Sequence, residues 1–115
     1  MAVDLSREPF PFLLGGDGWA VELTKAEWIS LVPVVDEVID QHEKLKKQLL
    51  PDESISLELE RHPWMVSLKG DKTNWSLQLI LLEDQIKSRN FEVSWPSPVA
   101  QALTKEMRNI WSLLQ

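Results

Sequence analysis

The chain has no cysteine, no tyrosine, four glycines and a shortage of positive charge. Without cysteine there are no disulfides, no thiolate zinc sites and no cysteine nucleophile, a composition that fits a reducing cytosol. Twelve basic against eighteen acidic residues leave a formal charge of −6. An acidic chain repels phosphate backbones on average, so nucleic-acid binding needs a local basic patch. No apolar run reaches membrane-spanning length; the longest, residues 77–82, is interrupted by Gln78. "MAVDLSREPFPF" lacks the basic-then-apolar build of a signal peptide. These exclusions lead to an expectation of a cytoplasmic protein without membrane contact.

What is present is ordinary for a globular chain: 43% hydrophobic and 26% charged residues over 115 positions, enough for one domain with a single core. Six tryptophans carry most of the aromatic content.

Three of the four glycines fall in "GGDG", residues 15–18. A phosphate-binding loop runs from a strand through glycines into a helix N-terminus. Here the glycines lead into an alternating stretch, residues 19–24, with Trp19, Val21 and Leu23 on one side, and no lysine stands in the loop. Asp17-Gly18 is instead the dipeptide favoured in a type I′ hairpin turn. Residues 9–14, with two prolines lacking ladder donors, read as an edge strand or extended entry.

Thr24 followed by Glu27 matches the capping box, in which hydroxyl and carboxylate each satisfy an orphan backbone donor. Trp28, Leu31, Val32, Val35, Val38, Ile39, Leu45 and Leu49 then recur at helical spacing, predicting a helix over residues 25–50 closed by Pro51 and kinked at Pro33. Asp36, Glu37, Asp40, His42 and Glu43 along it are metal-ligating types. A di-metal helix needs paired Glu-x-x-His motifs, and this stretch has one histidine. Asp40–Lys44 and Glu43–Lys47 have the spacing of exposed ion pairs instead, and His42 falls at the edge of the apolar stripe.

Four alternating segments follow, carrying Ile55, Leu57 and Leu59; Trp64, Val66 and Leu68; Trp75, Leu77, Leu79 and Leu81; and Phe91, Val93 and Trp95. The short turns between them predict an antiparallel meander. "WPSP" ends it, with Ser97 as helix cap and Pro98 in the first turn of a helix running from 99 to the end. The order is β-β-α-β-β-β-β-α, an α+β domain spanning 1–115 with one curved antiparallel sheet under two packed helices.

No catalytic grouping emerges. His62 has no neighbouring nucleophile, no serine lies in a G-x-S-x-G elbow, and no residue set points to a metal or cofactor. The tryptophans are in phase with the aliphatic residues of their elements and belong to the core before they belong to a ligand platform. The opposite strand face is rich in carboxylates, from Glu22, Glu58, Glu60 and Glu92. Two features suggest a partner: Ile80 and Leu82 point away from Leu79 and Leu81, and "IWSLLQ", with Ile110, Trp111 and Leu114, ends the chain as an apolar helix that must dock in cis or on a second subunit.

The stretch "REPFPFLLGGDGWAVELTKAEW" resembles a small cyanobacterial family of uncharacterised proteins, a domain of unknown function, in which a Pro/Phe segment, a Gly-Gly turn and a W-A-V/I-E-L-T strand lead into the first helix. That resemblance implies a fold similar to the Whirly and transcriptional-coactivator group of single-stranded-DNA-binding regulators, where two sheet-plus-helix units pack together. The basic, lysine-containing motif with which Whirly proteins hold DNA has no counterpart here. The family also begins with an extra short strand, for which only "MAVDLS" is available; the residue pattern leaves that strand open.

Two functions follow as expectations. The first is a non-enzymatic protein-interaction or regulatory module, with a protein partner or a second copy of the chain docking at Ile80, Leu82, Ile110, Trp111 and Leu114. The alternative is single-stranded nucleic-acid binding by the sheet face and rim cations Lys69, Lys72, Lys87 and Arg89, which the acidic charge disfavours.

Overall fold

A computed structural model describes residues 1–82 and 89–114. The elements are β1 (Ala2–Val3), β2 (Phe12–Gly16), β3 (Trp19–Leu23), α1 (Lys25–Leu45), a 3₁₀ turn (Lys46–Gln48), β4 (Ile55–Arg61), β5 (Trp64–Gly70), β6 (Trp75–Leu81), β7 (Phe91–Trp95) and α2 (Val99–Leu113). The α+β class and the strand and helix order match the sequence pattern. The short strand implied by the family resemblance is present as β1, pairing Ala2 with Leu13 and Val3 with Phe12.

The single sheet is corrected to two: a three-stranded sheet, β1-β2-β3, and a four-stranded meander, β4-β5-β6-β7. Strands joined by short turns pair as expected, but α1 separates β3 from β4 and carries the chain to a new sheet. Alternation reports which face of a strand is apolar and carries no information about which edges meet. Of the two readings of residues 9–14, edge strand or extended entry, only the edge strand is corrected. Pro9 and Pro11 precede β2, which lies between β1 and β3.

The glycine stretch forms the expected two-residue hairpin turn. Gly16 pairs with Trp19, and Gly18, at φ +78°, takes a conformation that suits glycine. The capping box is complete: Glu27 donates its backbone N–H to Thr24 Oγ1 (3.1 Å), and Thr24 donates its own to Glu27 Oε1 (2.8 Å). From there α1 runs continuously through Pro33 and stops at Leu45, short of the expected residue 50. The tightening at Lys46 also redirects an ion pair. Asp40 meets Lys44 as expected (3.3 Å), whereas Glu43 reaches Lys46 (2.9 Å) rather than Lys47, because a 3₁₀ turn favours three-residue spacing. Ser97 does not cap α2; Pro98 holds that position, and Ser97 Oγ accepts from Gln101 Nε2 (2.9 Å).

In the meander, Leu57, Leu68, Leu77 and Trp95 stand in one cross-strand row, and Leu59, Val66, Leu79 and Val93 in the next. This face lies under both helices. Trp64 Nε1 donates to Ser30 Oγ (3.0 Å) and to the Glu27 carbonyl (3.2 Å) of α1, while Ala100, Leu103 and Met107 bury one side of α2. The three-stranded sheet closes the remaining side. Phe12 stacks on Trp28 of α1 (4.5 Å between centroids), and Trp95 Nε1 donates to the Gly15 carbonyl (2.9 Å). Trp28, Trp64, Trp75 and Trp95 are buried, as their phase requires; Trp19 and Trp111 are half-buried at the margin.

Candidate interaction site

The sequence-derived partner residues do not form one surface. Ile80 stands half-buried between Met65 and Glu92 on the outer face of the meander, away from the helices. Leu82, half-buried just after β6, donates its backbone N–H to the Pro63 carbonyl (2.7 Å). Ile110, Trp111 and Leu114 lie instead at the end of α2, on the helical side of the molecule.

Around Trp111 the surface is hollowed on both sides. One groove, about 390 Å³, is lined by Leu5, Phe12, Lys25, Trp28, Ile29, Trp111 and Leu114. The other, about 550 Å³, runs past Val32, Pro33, Asp36, Arg108 and Ser112. Helical geometry explains the first groove: residues 25, 28, 29 and 32 project along one side of the first two turns of α1. Trp28 and Phe12 form its floor, and the last turn of α2 forms its far wall. Leu5 (56% exposed), Ile29 (48%) and Leu114 (43%) leave apolar side chains open to solvent at this end. Scattered single leucines need no explanation, but a grouped set rimmed by charge is the signature of a contact surface. The rim carries Lys25 and an Arg108–Asp36 ion pair that ties α2 to α1.

Leu5 and Ile29 were not among the sequence candidates. Ile29 carries a signal: it is the apolar residue of α1 that falls beside the buried stripe of Trp28, Leu31, Val32 and Val35. Leu5 carries none, because its place depends on the β1–β2 connection folding back over α1.

The cations proposed for nucleic acid are not gathered on one rim. Lys69, opposite Ser56 and Ser76, sits at the Trp75 end of the meander, on the outer face. Lys72 is in the β5–β6 turn at the same end but faces the helices, lining a cleft with His42, Lys46 and Lys105. Arg89 lies at the opposite end, before Phe91, and is committed to a structural contact. It is hydrogen-bonded to both oxygens of the buried Glu27 and to the Glu22 carbonyl, with Phe10 and Phe91 packed on its guanidinium. Lys87 lies outside the described residues. The outer face presents Glu58, Glu60 and Glu92 with Lys69 and several serines, and Glu22, expected with them, lies on the other sheet.

His42 is a satisfied core histidine: it is buried, packs on Trp75 and bonds through Nε2 to the Asp71 carbonyl (2.9 Å). The acidic residues of α1 form no metal-ligand cluster among the described residues. Asp71 in turn holds the β5–β6 turn, its Oδ1 accepting from the backbone N–H groups of Asn74 (2.8 Å) and Thr73 (2.9 Å). Those bonds, Asn74's first and Thr73's next, keep the Asp71 carboxyl below its ordinary value of 3.8. A lowered carboxylate pKa contributes stability that is complete above the unfolded value and lost as pH falls through the folded one. Asp71→Asn is therefore expected to flatten the fall in stability below about pH 4. Urea unfolding at pH 3 and pH 6 checks it; equal pH sensitivity in variant and parent contradicts the assignment.

No described helix is long and apolar enough to cross a membrane. A family model for a domain of unknown function, DUF1818, matches residues 1–110. The chain is also similar to a crystal structure, at 1.80 Å, of a protein of unknown function from Prochlorococcus sp. NATL2A, described there as from the DUF155 family. The two share 46% identity with a TM-score of 0.89, covering 96% of this chain and 90% of that one. No curated protein matches the chain.

Proposed function

We propose that this chain, which belongs to the DUF1818 family of domains of unknown function, is a non-enzymatic protein-interaction module that receives a partner in the groove beside Trp111. The observation carrying this reading is the grouping of exposed Leu5, Ile29 and Leu114 around a half-buried tryptophan, since tryptophan is among the residues that dominate binding energy and grouped apolar exposure marks a contact surface. The occupant is a protein segment presenting two or three apolar side chains flanked by carboxylates. Lys25 and the positive end of α1 sit at the rim and favour negative charge there. Such a mode is that of an amphipathic helix laid in a hydrophobic groove.

The sheet lends no comparable support to nucleic-acid binding. The four tryptophans of the strands lie on or at the margin of the packed faces, the open face is carboxylate-rich, and Arg89 is engaged by Glu27. A Whirly-like kinship therefore stays an architectural analogy, which transfers no function by itself.

A photo-crosslinking side chain placed at Ile29, in cells producing the full chain, tests the reading against the same probe at Glu58 on the outer sheet face. The expected result is one discrete adduct with a different protein at position 29, absent at 58 and lost when Trp111→Glu is added. An adduct between two copies of the chain, or identical patterns at both positions, contradicts it. Circular dichroism of the Trp111→Glu protein separates loss of contact from loss of fold.

A further inference from the structure

The two edges of the four-stranded meander end differently. At the β7 edge the inner face closes: Val93 and Trp95 are buried, and the three-stranded sheet leans on that side through Trp19 against Trp95 and the Trp95–Gly15 hydrogen bond. At the β4 edge the same face stays open. Leu57 and Leu59 begin the cross-strand rows in which Leu68, Leu77, Val66 and Leu79 are buried, yet both are only half-buried, and so is Ile55. β4 is the end strand of its sheet, and no described strand pairs with its far side. An edge strand presents a row of N–H and C=O groups ready to pair with another chain.

Proteins blunt such edges with very short strands, prolines, bulges or charges turned inward. β4 runs for seven residues, Ile55–Arg61, without proline or glycine and in unbroken register with Trp64–Gly70. Its inward positions are Ile55, Leu57 and Leu59, followed by Arg61 at the last place, where the guanidinium is drawn to Glu37 of α1 (2.5 Å). Before that final residue nothing on the inner side of the strand repels an apolar neighbour.

The outward positions select the occupant by charge. Glu58 and Glu60 are exposed on the outer face, and neither forms an ion pair among the described residues. Their neighbours across on β5 are Ser67 and Met65, while Lys69 stands one row away, opposite Ser56. Exposed Asp52 and Glu53 bring further carboxylates just before the strand. Directly across a strand pair, opposite charges stabilise and like charges destabilise. A second copy of the chain is therefore a poor occupant, because full antiparallel overlap of two β4 strands sets each Glu58 against the other.

We propose that the β4 edge receives an extended segment of a partner protein in which apolar residues alternate with lysine or arginine. Its apolar side chains continue the inner rows beyond Ile55, Leu57 and Leu59, its cations face Glu58 and Glu60, and its backbone pairs with the free edge. This is strand addition, in which main-chain hydrogen bonds supply affinity and alternate side chains supply specificity. No β4 residue lines the Trp111 groove, so the outcome here leaves that reading untouched. A cross-linked adduct from position 58 that differs from the one at position 29 belongs to this edge.

Fluorescence anisotropy of a labelled nonapeptide of alternating lysine and valine, titrated with the full chain at physiological salt, tests it. Binding is expected with a Kd below about 1 mM. An alternating glutamate–valine peptide, and one with the same lysines and valines sorted into two blocks, should bind about tenfold more weakly or worse. Amide exchange read by mass spectrometry should slow over residues 55–61 when the alternating lysine peptide is present. Glu58→Lys with Glu60→Lys changes two exposed side chains, should keep the parent circular dichroism, and should reverse the preference between the lysine and glutamate peptides. No binding up to about 1 mM overturns the proposal. Equal binding of the block peptide overturns it too, since general attraction to an acidic chain then explains the affinity, as does a preference unchanged in the double variant. Protection over residues 55–61 that grows with the concentration of the chain alone also overturns it, and assigns the edge to a second copy.

Discussion

Trp64→Ala is expected to lower the free energy of unfolding by about 4 kcal/mol, the range found when a buried tryptophan is truncated. Trp64 begins β5, is fully buried, meets Phe91 edge-on at 5.8 Å between centroids, and donates its indole N–H into α1. Its removal takes away a large apolar volume in the centre of the sheet–helix interface. It also leaves the Glu27 carbonyl and Ser30 Oγ without the indole donor. Since a domain of this size is stable by only about 5–15 kcal/mol, much of that margin goes with one residue. Trp64→Phe separates the two contributions: most of the volume stays, the donor is lost, and the expected cost falls to about 1–2 kcal/mol. Chemical denaturation of both variants is the measurement, and a loss below about 1.5 kcal/mol for alanine would mean that the neighbours collapse into the space.

The same residue shows how far the sequence reaches. Trp64 could be assigned to the core because it alternates in phase with Val66 and Leu68, a relation between neighbours along the chain. Its contact with Ser30, 34 residues away, has no such trace. The pattern holds elsewhere. Thr24 and Glu27 are three apart, so the capping box was legible; Glu27 and Arg89 are 62 apart, so their ion pair was not. The hairpin at Asp17-Gly18 was legible from turn chemistry alone, whereas the division into two sheets depends on which distant edges pair. For the candidate site, Ile110, Trp111 and Leu114 were visible as an apolar helix end without cover. The groove they help to make was not, because Leu5 and Ile29 enter it from elements that only the folded arrangement brings beside α2.

Arg89→Ala is expected to cost about 3 kcal/mol, close to what is lost when one member of a buried pair is removed and the other stays behind. Glu27 is only 5% exposed and sits in the first turn of α1, and both of its oxygens meet the guanidinium. Arg89 is the less buried partner, which places the effect at the lower end of the range for buried pairs. It remains well above the 1 kcal/mol or less expected on breaking the exposed Arg7–Glu22 pair. Glu27→Ala carries a further loss, because the carboxylate also accepts from the Thr24 backbone N–H. Thr24→Ala, at about 1 kcal/mol, measures the cap by itself. The double variant Glu27→Ala/Arg89→Ala should then be more stable than the sum of the single losses implies, with a coupling of about 1.5 kcal/mol or more. The outcome bears on function as well as stability. If Arg89→Ala costs nothing, the guanidinium is not held by Glu27 and is free to meet a ligand at the edge of the sheet, as the nucleic-acid reading requires. If it costs what the geometry implies, the residue fixes the entry into β7 against the first turn of α1 and is not available to an anion at that edge of the sheet.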